Sequence, residues 1–292
     1  MHTIHQNGSM RDKTCLITGA TGGLGKAAAF GLARLGARVV LVSRNTKRIL
    51  NTINTISKET GNNKVHGIQA DLSVQSEVRR AASEFLKSET RLDVLINNVG
   101  GNFLKYQCTP DGIEYTWALN YLNHFLLTRL LLDRLVETAG VNSEARIIGI
   151  TSSIYRLTNN RFDRLQGERG YNGVLAYAQS KRAVNMFYIE LARRLQSSEV
   201  TANVITPGYV ATGVASNNHQ GWARILMKII GRFSVRPEEG VKPIVYLASS
   251  TELKGISGQY YTKYKRRKPD PGCHNLRPNL NLWELSEKML NF

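Results

Sequence analysis

The chain has 292 residues, of which 42% are hydrophobic and 21% charged, and its 39 Lys and Arg against 22 Asp and Glu give a formal net charge of +17. That length and apolar content exclude a disordered chain and suit one large domain with a full core. The three cysteines, Cys15, Cys108 and Cys273, have neither metal nor disulfide spacing, which suits a reducing compartment and gives no reason to expect a metal.

Residues 1–9 are polar and lack an apolar run, so a disordered extension is expected there rather than a signal peptide or a membrane span. His2 and His5 within it are incidental. Strand patterns follow near 14–18, 38–42, 64–69, 93–96, 146–150 and 200–205, with a short one near 258–261, and helical patterns lie between them. This alternation predicts an α/β fold: a single-domain, Rossmann-type, doubly wound parallel sheet with helices on both faces. The domain is expected to run over 10–262, with a substrate lobe at about 213–236. Residues 263–292 are expected to be a basic segment and a C-terminal helix packing on the same domain.

The first strand, with Cys15, Leu16 and Ile17, runs into Thr18-Gly19-Ala20-Thr21-Gly22-Gly23-Leu24-Gly25, and a helix with Ala and Leu on one face is predicted over 26–35. Glycines between a strand and a helix allow positive φ and close backbone approach, and the free N–H groups opening the helix can face a phosphate. The spacing differs from G-x-G-x-x-G: Gly19, three residues, Gly23, one residue, Gly25. The second strand ends in Ser43-Arg44, where a dinucleotide fold meets the adenosine ribose. An acidic residue there would bind the 2′-hydroxyl, whereas Arg accommodates a 2′-phosphate. Arg44, with Lys47 and Arg48 behind it, therefore favours NADP(H) over NAD(H).

Well downstream, Tyr177 and Lys181 stand four apart in a helical pattern, which puts them on one helix face. A phenol can give a proton to a carbonyl oxygen that receives hydride on carbon, but its ordinary pKa of about 10 is high for that work at neutral pH. A cation within about 4–6 Å favours the phenolate and lowers that value. Lys181 is the expected cation, and it can also hold the nicotinamide ribose. His124 falls inside an apolar helix and is expected to be a packed core or interface residue.

Taken together, these motifs resemble the short-chain dehydrogenase/reductase family over nearly the whole chain. Thr18-Gly19-x-x-x-Gly23-x-Gly25 is similar to the family's cofactor turn, with Leu24 inside it. Asp71-Leu72 resembles the pair that holds the adenine, and Asn97-Asn98-Val99-Gly100 resembles Asn-Asn-Ala-Gly with Val for Ala. Asn120, Ser152, Tyr177 and Lys181 match the catalytic tetrad, and the resemblance implies that Asn120 keeps a water in a proton path to Lys181. Pro207-Gly208-Tyr209-Val210-Ala211-Thr212 resembles the segment that closes over the nicotinamide, which adds Pro207, Gly208, Val210 and Thr212 to Asn98 and Gly100 as cofactor contacts. The run at 120–125, the stretch between Ser152 and Tyr177, and Leu282-Trp283-Glu284-Leu285-Ser286 are similar to retinol-dehydrogenase-like and WW-domain-oxidoreductase-like members.

The implied activity is interconversion of a carbonyl and an alcohol with NADP(H). Trp222, Ile225, Leu226, Met227, Ile229, Ile230 and Phe233 recur at helical spacing with Arg224, Lys228 and Arg232 interleaved, which reads as an amphipathic lid over 214–233 or as a helix packed on the core. The lid implies a lipophilic substrate of retinoid, steroid or lipid-aldehyde type. Two other classes fit the residues: a cofactor-binding scaffold or redox sensor with little turnover, and a reductase resembling protochlorophyllide reductase. A homo-oligomer is expected. Lys263, Lys265, Arg266, Arg267 and Lys268 form the one dense basic cluster. No nucleic-acid motif accompanies it, so no nucleic acid is expected. The cluster is a solvated tail or a patch that touches anionic membrane. The expected location is cytoplasmic or another reducing compartment, with peripheral membrane contact as one option.

Overall fold

In the computed structural model, residues 8–140, 143–160, 162, 167–207 and 237–292 are described. The parallel strands are β1 (Thr14–Thr18), β2 (Arg38–Ser43), β3 (Val65–Gln69), β4 (Val94–Asn97), β5 (Ala145–Ile150), β6 (Val200–Thr206) and β7 (Tyr260–Thr262), followed by β8 (Lys265–Arg267). Helices α1 (Gly23–Arg34), α2 (Thr46–Thr60), α3 (Gln75–Ser88), α4 (Asn123–Thr138), α5 (Gly173–Arg194), α6 (Pro237–Ser249) and α7 (Leu276–Leu290) connect and cover them. Among the described residues the sheet order is β3-β2-β1-β4-β5-β6-β7-β8. From β1 the chain first builds outward through β2 and β3, then returns to build β4, β5 and β6 on the other side. The crevice between the carboxyl ends of β1 and β4 is therefore the switch point at which such sheets bind ligands.

Both faces of the sheet are covered, and the strands are accordingly apolar on both faces. In β1 the side chains alternate: Leu16 joins the core on one face, and Cys15 and Ile17 join the core on the other. The Leu16 face packs under α3, α4, α5 and α7, with Phe85, Phe125, Phe187 and Trp283 among its large side chains. The other face packs under α1, α2 and α6. Cys15 is fully buried there, in the core position its strand assigns it. Burial of this kind, at roughly 25 cal/mol per Å² of apolar area, is the main force holding the layers together.

Three details differ from the sequence reading. Helix α1 begins at Gly23, inside the glycine turn, rather than at 26. The basic cluster is not a tail: Lys265–Arg267 form β8, antiparallel to β7 with Tyr261 opposite Arg266 and Thr262 opposite Lys265. Edge pairing uses backbone groups, so a run of basic residues can join the sheet, and its charges protect the new edge from further pairing. Finally, Gly8 already donates its backbone N–H to the Ser249 carbonyl at 3.0 Å, so contact with the domain begins before residue 10. The segments 208–236 and 1–7 lie outside the described residues, and with them the expected lid over 214–233.

Candidate active site

The glycine turn has the geometry its composition demands. Gly19 has φ +66° and Gly23 φ +50°, a region that L side chains rarely adopt. A Cβ on Gly25 would press on the Gly19 carbonyl oxygen and lie 2.5 Å from Asn98 Nδ2. The start of α1 carries no side-chain cap and no acidic residue in its first turn, and a Cβ on Gly22 would meet open space. Exposed N–H groups at the positive end of a twelve-residue helix, in front of open space, fit a diphosphate. Leu24 points into the core.

Thr18 and Asn98 work as a clamp between the two turns. Thr18 Oγ1 accepts the backbone N–H of Asn98 at 2.9 Å and of Val99 at 3.0 Å, while Asn98 Nδ2 donates to the Thr18 carbonyl at 2.8 Å. Both side chains are thus spent on holding β1 and β4 in register at the switch point. At the end of β2, Ser43 and Thr21 hydroxyls are 2.7 Å apart and Arg44 is exposed, its guanidinium donating to Tyr115 Oη at 3.0 Å. Asp71 lies 4.0 Å from that guanidinium and caps its own turn by accepting from Ser73 N and Oγ. Leu72 is buried in the core. Hydroxyls plus a guanidinium at this strand end, with the one nearby carboxylate already engaged, suit a phosphate on the ribose.

The four tetrad candidates come from three places, Tyr177 and Lys181 sharing α5, and meet at the carboxyl edge of β4 and β5. Ser152 follows β5 and caps a short helical turn, Ser153–Leu157, accepting from Ile154 N at 3.4 Å. Its hydroxyl is also hydrogen-bonded to the Tyr177 phenol, which hangs from the second turn of α5. Asn172 fixes the start of that helix by accepting from Val174 N and Leu175 N, both at 3.0 Å. One turn beyond Tyr177, the Lys181 ammonium donates to the Ile150 carbonyl at 3.0 Å and lies over the Tyr177 ring, 5.8 Å from its centroid. Asn120 sits in a π-helical turn, Ala118–Leu122, rather than in regular helix. Such turns add a residue locally and re-aim a side chain. Its Nδ2 donates to the Gly101 carbonyl at 2.9 Å and Ser180 Oγ at 3.0 Å, and its Oδ1 accepts Gly101 N at 2.8 Å. Gly100 is what lets these parts close up: a Cβ there would lie 2.9 Å from Asn120 Oδ1 and 3.3 Å from Lys181 Nζ. Pro207 is buried directly after β6, while Gly208, Val210 and Thr212 lie outside the described residues.

The electrostatics correct one expectation. Burial pushes the Tyr177 phenol up, and the Ser152 hydroxyl pulls it part of the way back. Lys181 does not lower the phenol in this geometry, because it gives up its own proton at a lower pH and is neutral when the phenol titrates. Burial pushes Lys181 itself down to about 8. His124 is a core residue, driven down to about 3 by burial and then by the Lys181 charge, so it is neutral at physiological pH. The Val99 backbone is close enough to act in the other direction, though neither ring nitrogen reaches a partner in hydrogen-bonding geometry.

Several supporting residues escaped the sequence reading. Thr151 Oγ1 and Asn185 Nδ2 bond each other at 2.8 Å and both donate to the Lys181 carbonyl, which anchors the catalytic face of α5 to the end of β5. Ser180 links Tyr177 to Asn120 through its hydroxyl, donating to the Tyr177 carbonyl at 2.8 Å. Asn185 stands four residues after Lys181, and that spacing was the available signal. Among the described residues no three His, Cys, Asp or Glu side chains converge on a metal-sized site, and no described helix is long and apolar enough to cross a membrane.

Known proteins resemble the chain over most of its length. Residues 13–222 match the family model described as short chain dehydrogenase. The chain is 37% identical to human retinol dehydrogenase 14, covering 97% of this chain and 88% of that protein. It is 36% identical to human polyprenol dehydrogenase, over 95% of this chain and 85% of that one. Among solved structures, the Pseudomonas aeruginosa RhlG/NADP active-site complex superposes with a TM-score of 0.70 at 26% identity, covering 91% of this chain and 98% of that one.

Proposed function

The chain belongs to the short chain dehydrogenases and is an NAD(P)-dependent oxidoreductase, and from that premise we propose that it interconverts a lipophilic alcohol and its carbonyl with NADP(H), using Tyr177 as acid and base. The observation that carries this reading is the convergence of Ser152, Tyr177, Lys181 and Asn120 on the edge of the sheet beside the glycine turn.

Gly19, Gly23, Gly25 and the opening of α1 would hold the diphosphate, Arg44 with Ser43 the adenosine side, and Gly100 and Pro207 the nicotinamide side, on a frame that Thr18 and Asn98 tie together. The bound cofactor supplies or accepts the hydride. Every other part of the chemistry belongs to side chains. Ser152, fixed at the end of β5, orients the substrate oxygen toward the phenol. In reduction Tyr177 Oη gives its proton to that oxygen as the carbon is reduced; in oxidation it takes the proton back. A phenol kept protonated by burial is suited to donate. Lys181 stands behind it, with an ammonium whose value near 8 leaves it able to exchange a proton at neutral pH. Asn120 holds the Gly101 backbone so that the loop after β4 clears the site.

Support for NADP(H) is Arg44 at the end of β2, where the nearby carboxylate of Asp71 is already paired with that guanidinium and with Ser73. Support for a lipophilic substrate is twofold. The similar human proteins are named for retinol and polyprenol, and Phe103, Tyr106, Tyr115 and Tyr171 form edge-on aromatic pairs between the loop after β4 and the start of α5. The test is NADPH consumption with matched carbonyls of rising chain length and with retinoid and steroid carbonyls. Catalytic efficiency that climbs with chain length upholds the reading. Turnover confined to short polar carbonyls would remove the lipophilic assignment, and tight NADPH binding without turnover would return the protein to the class of cofactor-binding scaffolds.

A further inference from the structure

The basic hairpin stands at a particular place. β6 and β7 run parallel with Thr206 beside Thr262, and Thr262 in turn faces Lys265 across the hairpin. The turn at Lys263 and Tyr264 therefore projects from the same carboxyl edge of the sheet from which the glycine turn, Ser152 and Pro207 emerge. Lys263, Lys265, Arg266, Arg267 and Lys268 are all exposed. Among the described residues no ion pair involves any of them, and Asp270, just beyond, is engaged by Arg182 at 2.8 Å. Tyr264 packs edge-on against Tyr246 of α6, 5.5 Å between centroids, so the hairpin is held rather than loose.

The same edge carries apolar side chains turned to solvent. Among the described residues eight large apolar side chains are exposed, and four of them lie on the segments that carry the tetrad or against them: Leu104 at 37%, Leu157 at 70% on the turn after Ser152, and Val174 at 44% and Leu175 at 43% at the start of α5. Leu104 and Val174 are neighbours in space. Gly173 sits so close to the loop after β4 that a Cβ on it would lie 2.6 Å from Leu104 Cα, which brings Val174 beside Leu104. Leu157 closes the turn that Ser152 opens, and its neighbour Arg156 donates to the Lys268 carbonyl at 3.2 Å. The apolar rim and the basic hairpin are thus tied together at the mouth of the site.

We propose that this edge docks on an anionic lipid surface. The hairpin meets the headgroups and the apolar rim enters the interface, so that a lipophilic alcohol or carbonyl passes from the bilayer into the cleft. Apolar insertion and charge attraction add in interfacial binding, and one without the other is weak. The net charge of +17 supplies the long-range attraction. This inference rests on the lipophilic-substrate reading, but its test does not.

The full chain is sedimented with phosphatidylcholine vesicles with and without phosphatidylserine, at low and high salt. Wild type is expected to bind the anionic vesicles about tenfold or more tightly, and to release them at high salt. Reversing three charges (Lys265→Glu, Arg266→Glu, Arg267→Glu) is expected to weaken binding on the order of a hundredfold, with the triple Gln variant in between. Thermal unfolding and turnover of a water-soluble carbonyl should stay at wild-type values in both variants. Leu157→Ser is expected to cost several-fold in vesicle affinity. Equal binding to neutral and anionic vesicles, or undiminished binding by the charge-reversed variant, would overturn the proposal. So would tighter binding to single-stranded RNA than to vesicles at the same salt, which would assign the hairpin to nucleic acid. If vesicle binding behaves as stated but no lipophilic carbonyl is turned over, docking stands and the substrate reading fails.

Discussion

Lys181 is expected to be an expensive residue to keep. Its ammonium is enclosed, 3% exposed, and burial lowers it from 10.5 to about 8. At about 1.4 kcal/mol per tenfold change in proton affinity, holding the charge at neutral pH costs the folded state roughly 3 kcal/mol. Lys181→Met fills the same space without the charge. It also removes the donor to the Ile150 carbonyl, a loss of about 1–2 kcal/mol. The net expectation is a stabilisation of about 1–2 kcal/mol at pH 7, a rise in Tm of about 2–6 °C, together with loss of turnover and weaker NADPH binding. The pH dependence has a definite sign. Between about 8 and 10.5 the unfolded chain binds this proton and the folded chain does not, so wild-type stability gains on the variant as pH rises through that window. Buried tyrosines titrate in both proteins and cancel in the difference. Denaturant unfolding of both proteins from pH 7 to pH 10 measures it. A variant that is destabilised at pH 7, or a difference that does not change with pH, would refute the claim that Lys181 is a desolvated charge held for chemistry.

Further expectations concern the cofactor turn and the core. Arg44→Asp should weaken NADPH binding by about 10- to 100-fold, the loss of a charge-assisted contact, and improve NADH binding, as read by titrating both; unchanged preference would show that Arg44 does not select the phosphate. Gly25→Ala forces a methyl group onto the Gly19 carbonyl and Asn98, so it should lower stability by about 1–3 kcal/mol and NADPH affinity about tenfold or more; an unaffected affinity would mean that the turn does not cradle the diphosphate. Trp283→Ala removes a side chain that is 3% exposed, packs edge-on to Phe125 at 4.8 Å and lies under the Arg194 guanidinium at 4.0 Å. It should cost about 3–5 kcal/mol in thermal unfolding without changing the Michaelis constant.

The central strands were legible because they bury both faces and so read as short apolar runs between turn residues; Cys15-Leu16-Ile17 is the plainest case. Helical spacing puts Tyr177 and Lys181 on one face, and what marked the pair out was its company with the glycine turn and the other motifs upstream. β8 was not legible, since its Lys265-Arg266-Arg267 has no apolar pattern and owes its strand to the backbone edge of β7. The π-helical turn at Asn120 was hidden for a similar reason: an extra residue in a helix leaves no mark on composition. Thr18 and Asn98 were picked out as cofactor contacts, yet their side chains are consumed in joining β1 to β4. Motif spacing locates such residues without revealing which way their hydrogen bonds run. The expected fall in the Tyr177 pKa failed because desolvation depends on packing that no local pattern records.

Tyr177→Phe tests the central claim most directly. The substitution removes one oxygen atom and leaves the ring that packs against Lys181 in place. NADPH affinity and single-turnover hydride transfer to a lipophilic aldehyde should be measured on the same preparation. The account predicts an affinity within about twofold of wild type and transfer slowed by about 100-fold or more, the range of a lost general acid. Transfer at close to the wild-type rate, with the cofactor bound as before, would contradict it.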